Sequence, residues 1–116
     1  MSRVKRGTVS RRKHTKLLSL TKGYRGTKSK LTKLAKEASL HAGQYAYVGR
    51  KDRKQDFRSL WIVRIGEAAK AEGLSYSVFM NKLRKSNIDL DRKILSDLVL
   101  NDPKAFKSIV ESVRGL

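Results

Sequence analysis

The stretch "AGQYAYVGRKDRKQDFRSLWIVRI", residues 42–65, decides how the rest of the chain is read. It interleaves two tyrosines, a phenylalanine and a tryptophan with six Lys or Arg side chains. On a helix, at about 100° per residue, Arg50 and Lys54 fall on the face that carries Phe57, Trp61, Ile65 and Ala68. One face therefore begins cationic and becomes apolar partway along. A helix built this way suits a C-terminal part packed in a core and an N-terminal part laid on something anionic. Lys51 and Arg58 broaden the cationic patch, and Arg53 flanks it. Phe57 and Trp61 keep period with Ile65 and are expected in the core, whereas Tyr45 and Tyr47 have no apolar domain around them.

Upstream, Leu31, Leu34, Ala35, Ala38, Ala42, Tyr45 and Ala46 recur at three- and four-residue steps, which is helical spacing. The pattern predicts one long helix from residue 27 to residue 71. At ~1.5 Å per residue such a helix is roughly 65 Å long, more than the diameter of a small domain, so its far end must be held from outside. Gly43, Gly49 and Gly66 interrupt the period; each costs about 1 kcal/mol relative to Ala and bends or weakens a helix more often than it ends one. Residues 1–9 show no period and read as an extended arm. Residues 10–21 read as a short helix capped by Ser10, and Gly23 and Gly26 in "KGYRG" read as a turn.

Downstream of Gly73, three short amphipathic segments follow. Ser75 is placed to cap a helix with Tyr76, Phe79, Met80 and Leu83 on its apolar side. Asn87 to Asp89 form a connection, and Asp91 lies at the start of a helix carrying Ile94, Leu95, Leu98 and Val99. Asp102-Pro103 is a strong start signal, a capping carboxylate followed by proline at the first helical position. Phe106, Ile109, Val110 and Val113 supply the last stripe, and Gly115 is placed to stop it. No strand alternation occurs, so the fold class is all-α. The expected core is Phe57, Leu60, Trp61, Ile65, Leu74, Tyr76, Phe79, Leu83, Ile94, Leu95, Leu98, Phe106, Ile109 and Val113. That is a small helical domain near the lower size limit for independent folding, while residues 1–40 hold too few large apolar groups to build a core.

The charge divides along the same line. The 116 residues carry a formal net charge of +18. Residues 1–58 hold 18 basic and 3 acidic side chains, and no acid precedes Glu37. Residues 59–116 hold 10 basic and 7 acidic side chains. Self-repulsion of that size favours a polyanionic partner. The reading is thus a basic extension over 1–58, made of an arm, a short helix and a long helix, and a small globular helical domain over 59–116. With no cysteine and two isolated histidines, His14 and His41, the chain offers no metal site, no cofactor site and no acid/base pair or nucleophile of an enzyme. No run of ~20 apolar residues would span a bilayer. The basic, acid-free N-terminus has the composition of an organelle transit peptide, yet its basic character continues well past the length of a removable leader.

Folded RNA fits the mixture of residues. Lys and Arg neutralise phosphates, and aromatic rings and Arg planes stack on unpaired bases. Tyr45 and Tyr47 are candidates for stacking or for hydroxyl bonds to phosphate or sugar, the alternative being packing against another protein's helix. In "KGYRG" the glycines allow close backbone approach to phosphate beside Lys22, Tyr24 and Arg25. The runs "RVKRG" and "RRKH" add Arg3, Lys5 and Arg6, then Arg11, Arg12 and Lys13, with Lys16 and Lys28 continuing the series. A DNA-binding protein with a helix-turn-helix over residues 75–100 is a second reading, but "DRKILSDLVL" is nearly neutral and makes a poor recognition helix. A membrane-surface helix over residues 28–46 is a third, weakened by a stripe built largely of alanine.

Six blocks, "RVKRG" at 3–7, "KGYRG" at 22–26, "AGQYAY" at 42–47, "FRSLWIVRI" at 57–65, "LSYSVFM" at 74–80 and "DRKILSDL" at 91–98, resemble in order and separation the bacterial-type large-subunit ribosomal protein twenty family. The resemblance covers nearly the whole chain. It implies an all-helical protein with a long N-terminal extension entering the large-subunit ribosomal RNA and a small C-terminal domain at the solvent side. It implies direct binding to that RNA early in subunit assembly, contact with large-subunit protein twenty-one, and in some bacteria repression through the protein's own messenger RNA. It implies a place in the cytoplasmic or plastid ribosome, with no membrane and no small-molecule substrate. Matched block by block, it makes RNA-contact candidates of Arg3, Lys5, Arg6, Lys22, Tyr24 and Arg25, and of Gln44, Tyr45, Tyr47, Arg50, Arg53, Lys54 and Arg58. Val48, Asp52, Gln55 and Asp56 leave residues 48–56 less basic than the family pattern and imply fewer phosphate contacts there.

Overall fold

The long helical period becomes one unbroken helix. The computed structural model describes all 116 residues and contains five α-helices and no strand: α1 (Gly7–Leu20), α2 (Thr32–Ala71), α3 (Tyr76–Lys85), α4 (Arg92–Asn101) and α5 (Pro103–Arg114), with a 3-10 turn at Gly26–Ser29. The chain is all-α, as its periodicity requires. It divides into two compact units, Met1–Lys51 and Asp52–Leu116, and α2 contributes to both. Gly43, Gly49 and Gly66 all lie within α2, and none of them ends it.

In the second unit, local chemistry and packing agree. The Ser75 hydroxyl accepts a hydrogen bond from the Val78 amide (3.4 Å), Asp91 Oδ1 from Ile94 (3.1 Å) and Asp102 Oδ1 from Ala105 (3.1 Å). Each start thus has an acceptor for an otherwise orphaned N–H, typically worth ~1 kcal/mol, and Pro103 opens α5 where its missing donor costs nothing. The end of α2 is closed by two bonds, Gly73 N–H to the Lys70 carbonyl (3.0 Å) and Leu74 N–H to the Ala69 carbonyl (2.9 Å), with Gly73 at φ 81°. The same pair of bonds closes α3, where Asn87 at φ 54° takes the glycine's place.

These helices enclose one core: Ile65 and Ala69 from α2, Phe79, Met80 and Leu83 from α3, Leu95 from α4, and Phe106, Val110 and Val113 from α5. Phe79 and Phe106 meet at 5.5 Å between ring centroids, tilted by 49°. The carboxy-terminal turn is tied back by polar contacts: Lys82 donates to the Arg114 carbonyl (3.0 Å), the Arg114 guanidinium to the Glu72 carbonyl, and Lys107 pairs with Glu72 (3.4 Å).

The core begins further along α2 than the helical wheel predicts. Phe57 is 50% exposed and Leu60 40% exposed, so both lie outside it, and Trp61 packs only against its edge. Ile94 is also exposed, because α4 turns Leu95 and not its neighbour inward. Ala69, Met80 and Val110 are buried in their stead.

The first unit is built differently. α1 starts at Gly7 rather than at Ser10: the Ser10 amide already donates to the Arg6 carbonyl (2.9 Å), so Ser10 lies inside the first turn. Arg6 offers no side-chain cap, and no acid stands in the first turn of α1 or α2. Gly23 and Gly26, at φ 82° and 69°, allow the chain to reverse after α1. The Lys30 and Leu31 amides both donate to the Thr27 carbonyl, which delays α2 to Thr32. Burial is limited to Thr21 and Ala35, with Leu17, Leu18, Tyr24, Leu34 and Ala38 half-buried.

This partition predicts unequal costs for two phenylalanines. Phe79→Ala should destabilise the folded chain by about 3–5 kcal/mol, and Phe57→Ala by less than about 1 kcal/mol. Urea unfolding followed by the fluorescence of the single tryptophan measures both; equal losses would place Phe57 in the core.

Candidate nucleic-acid interface

The nineteen side chains singled out from the sequence share one property. All are exposed except Tyr24, which is half-buried. None of the basic ones among them is ion-paired: in the whole chain the only Lys or Arg within ion-pair distance of a carboxylate is Lys107. Every residue from Leu40 to Leu60 is exposed, on all faces of α2. A helix without a packed face lacks the contact that gives most protein helices their stability.

Three places gather the candidates. On α1, Arg11, Arg12 and Lys16 lie along one groove with the hydroxyls of Thr8, Thr15 and Ser19. The spacing puts three cations on one helical face with the Thr8 and Thr15 hydroxyls, donors that phosphate oxygens accept from, while the Ser19 hydroxyl donates to the Lys16 carbonyl (2.7 Å). Lys13, three residues before Lys16, lies outside this groove.

The second place is a cleft of about 710 Å³ in the first unit. Tyr24 and Lys28, from the turn after α1, meet a stripe of α2 made of Leu34, Glu37, Ala38, His41, Ala42 and Tyr45. His41 and Tyr45, one turn apart, stack with ring centroids at 6.4 Å and planes 28° apart. The His41 imidazole lies 4.0 Å from the Glu37 carboxylate. Tyr47 points elsewhere on α2, and Lys51 covers its ring with the ammonium 4.6 Å from the centroid, a cation–π contact. Sequence spacing put Tyr45 and Tyr47 in one class; the structure separates them.

The third place lies in the second unit, where Lys54, Gln55, Phe57, Arg58 and Trp61 of α2 face Asp91, Arg92 and Lys93 at the start of α4 across a cleft of about 510 Å³. Phe57 and Trp61 stack there at 6.2 Å, with planes 27° apart. The exposure of Phe57 thus places an aromatic ring among cations. Arg92 donates from Nε to the Tyr76 hydroxyl (2.9 Å), which fixes its guanidinium. Arg53 borders the neighbouring face with Asp56, Phe57 and Leu60.

The remaining candidates are not drawn together. Arg3, Lys5 and Arg6 precede α1, and Lys22, Arg25, Gln44 and Arg50 line none of these surfaces. Sequence reasoning overlooked His41, Arg92 and Lys93. Only the basic pair at the head of "DRKILSDL" could have signalled the last two, since their nearness to Phe57 is set by tertiary packing. No cluster of three or more His, Asp or Glu side chains could hold a metal ion, and no helix is long and apolar enough to cross a membrane.

Because Arg11, Arg12 and Lys16 have no ion-paired partner, replacing all three with glutamine should leave the circular dichroism of the free protein unchanged and its melting within about 0.5 kcal/mol of the parent. A large loss of helix would show that they hold α1 together.

A family model described as ribosomal protein L20 matches residues 3–109. Among curated proteins, the chain is 54% identical to the large ribosomal subunit protein bL20 of Roseiflexus sp. (strain RS-1), over 98% of this chain and 97% of that one. It is 52% identical to the protein of the same name from Xylella fastidiosa (strain M12), over 100% and 98% of the two chains. A further bL20, from Marinobacter nauticus, is 50% identical over 99% of this chain and 98% of its own.

Proposed function

The chain belongs to the ribosomal protein L20 family, and from that premise we propose that it is a non-enzymatic structural constituent of the large ribosomal subunit whose basic unit binds the large-subunit ribosomal RNA directly. One observation carries the reading. Residues 1–51 hold 15 Lys or Arg and a single acid, and none of those cations has an ion-pair partner within the protein.

The mechanism is electrostatic and largely sequence-tolerant. RNA segments that must lie side by side repel one another through their phosphates. Cations on α1, on the turn that follows and along α2 neutralise phosphates from several segments at once, and the helix fixes the spacing between them. The part of α2 in the first unit, residues 32–51, spans ~30 Å at 1.5 Å per residue, enough to reach phosphates of more than one RNA segment. The second unit, capped and packed around its own core, supplies a folded anchor, and the Lys54–Trp61 face with Arg92 and Lys93 extends the same cation-and-ring chemistry onto it. A protein that relieves repulsion in this way acts when RNA segments first come together, so its place is early in subunit assembly. Contact with large-subunit protein twenty-one, and repression through the chain's own messenger, are the finer parts of the proposal and rest on the family resemblance. The second requires a messenger fold that competes with ribosomal RNA for the same side chains.

If about 8–10 phosphates are contacted, the logarithm of affinity should fall with the logarithm of salt concentration at a slope of roughly −6 to −9. The fragment 52–116 should remain helical and cooperative in melting while binding more weakly and with a shallower slope. Filter binding to purified large-subunit RNA at graded salt measures both. A nearly flat slope, or preference for duplex DNA, would defeat the proposal.

A further inference from the structure

The cleft between the turn after α1 and the first part of α2 contains the one acid of residues 1–51, and phosphate neutralisation gives that acid no role. Glu37 is exposed, and it stands among 15 cations whose common function is to hold phosphates. On a purely electrostatic surface a carboxylate weakens binding. Here it lies on the same α2 stripe as the stacked His41 and Tyr45 rings, 4.0 Å from the imidazole, with Tyr24 and Lys28 across the opening. The space is about 710 Å³, within the range of clefts that take small organic ligands.

We propose that this cleft holds one unpaired nucleotide of the bound RNA. The proposal rests on the RNA-binding reading above and specifies what one part of that surface does. The stacked His41–Tyr45 pair offers an outer ring face on which a base continues the stack, and Tyr24 lies across the opening. Ala38 and Ala42 keep the floor between them low. Lys28 supplies the cation for the nucleotide's phosphate. Glu37 accepts a hydrogen bond from the base edge, which requires an amino group or a ring N–H that the base can present to a carboxylate. Guanine, adenine and cytosine carry an exocyclic amino donor. Uracil has only a ring N–H flanked by two carbonyl oxygens, which the carboxylate repels. The cleft is therefore selective for an unpaired, amino-bearing base, within an interface that is otherwise indifferent to sequence. Tyr47, engaged by Lys51 away from this cleft, takes no part.

Ultraviolet cross-linking of the full chain to purified large-subunit RNA, followed by mass mapping, should find nucleotide adducts on Tyr24, His41 or Tyr45, with the attached base guanine, adenine or cytosine. Tyr45 is 73% exposed, so Tyr45→Leu leaves folding intact; it should weaken RNA binding about tenfold at constant salt without changing the salt slope, while Tyr47→Leu costs less than about threefold. Glu37→Leu separates the two views of the acid. A base-edge contact predicts weaker binding, by about three- to tenfold, whereas an acid that merely opposes phosphate predicts tighter binding. Adducts absent from the three rings, an unchanged affinity for Tyr45→Leu, or tighter binding by Glu37→Leu would each overturn the nucleotide cleft while leaving the steep salt dependence standing. An unchanged affinity would also point to a side chain of a neighbouring protein as the occupant. Loss of the salt dependence itself would remove the RNA reading as well.

Discussion

Unneutralised positive charge is the constraint from which the rest of the structure follows. Of 28 Lys and Arg side chains, Lys107 alone meets a carboxylate. Lys82, Arg92 and Arg114 donate to uncharged protein oxygens and Lys51 lies over the Tyr47 ring, but no other cation finds a counter-charge. In the first unit little packing holds the chain together: two buried residues, an α1 and a 3-10 turn without side-chain caps, and a stretch of α2 from Leu40 to Lys51 with no covered face. Helices in proteins owe most of their stability to a packed apolar face, and this stretch has none. Under the proposed function, the anionic surface of RNA supplies this stretch with both counter-charge and contact.

The second unit shows what the same chain does when it must hold itself together. Its starts are capped by Ser75, Asp91 and Asp102, its ends by Gly73 and Asn87, and its core by nine residues from four helices. Acids are used there as caps and as the Glu72 partner of Lys107, not as general neutralisers. The two units therefore solve different problems. One is stabilised from within; the other is arranged for a partner. α2 belongs to both, and within the second unit it stays uncovered as far as Leu60 and packs against the core from Trp61 onward.

Much of this was legible in the sequence where the signal is local. The Asp102-Pro103 start, the Ser75 cap and the continuous helical period each name their structure within four residues. The basic bias of the first half is compositional and needs no structure at all. The misreadings arise where a local rule meets a competing one. Ser10 satisfies the composition of a cap, but the helix began earlier at Gly7, where no cap residue marks it. Phe57 keeps perfect period with Ile65, yet period says only which face a residue is on, not how far the covering domain reaches along that face. The clefts were the least legible part. Tyr24 and Tyr45 are 21 positions apart, and Phe57 and Arg92 are 35 apart; only the turn at Gly23–Gly26 and the packing of α4 bring them together.

Amide hydrogen exchange along the full chain, with and without large-subunit RNA, tests the central claim most directly. In the free protein, the amides of residues 40–60 should exchange quickly while those of Phe79, Leu83, Leu95 and Val110 are strongly protected; bound RNA should slow the first group and leave the second nearly unchanged. Strong protection of residues 40–60 in the absence of RNA would contradict the account, because it would mean that the exposed cationic helix is stable by itself.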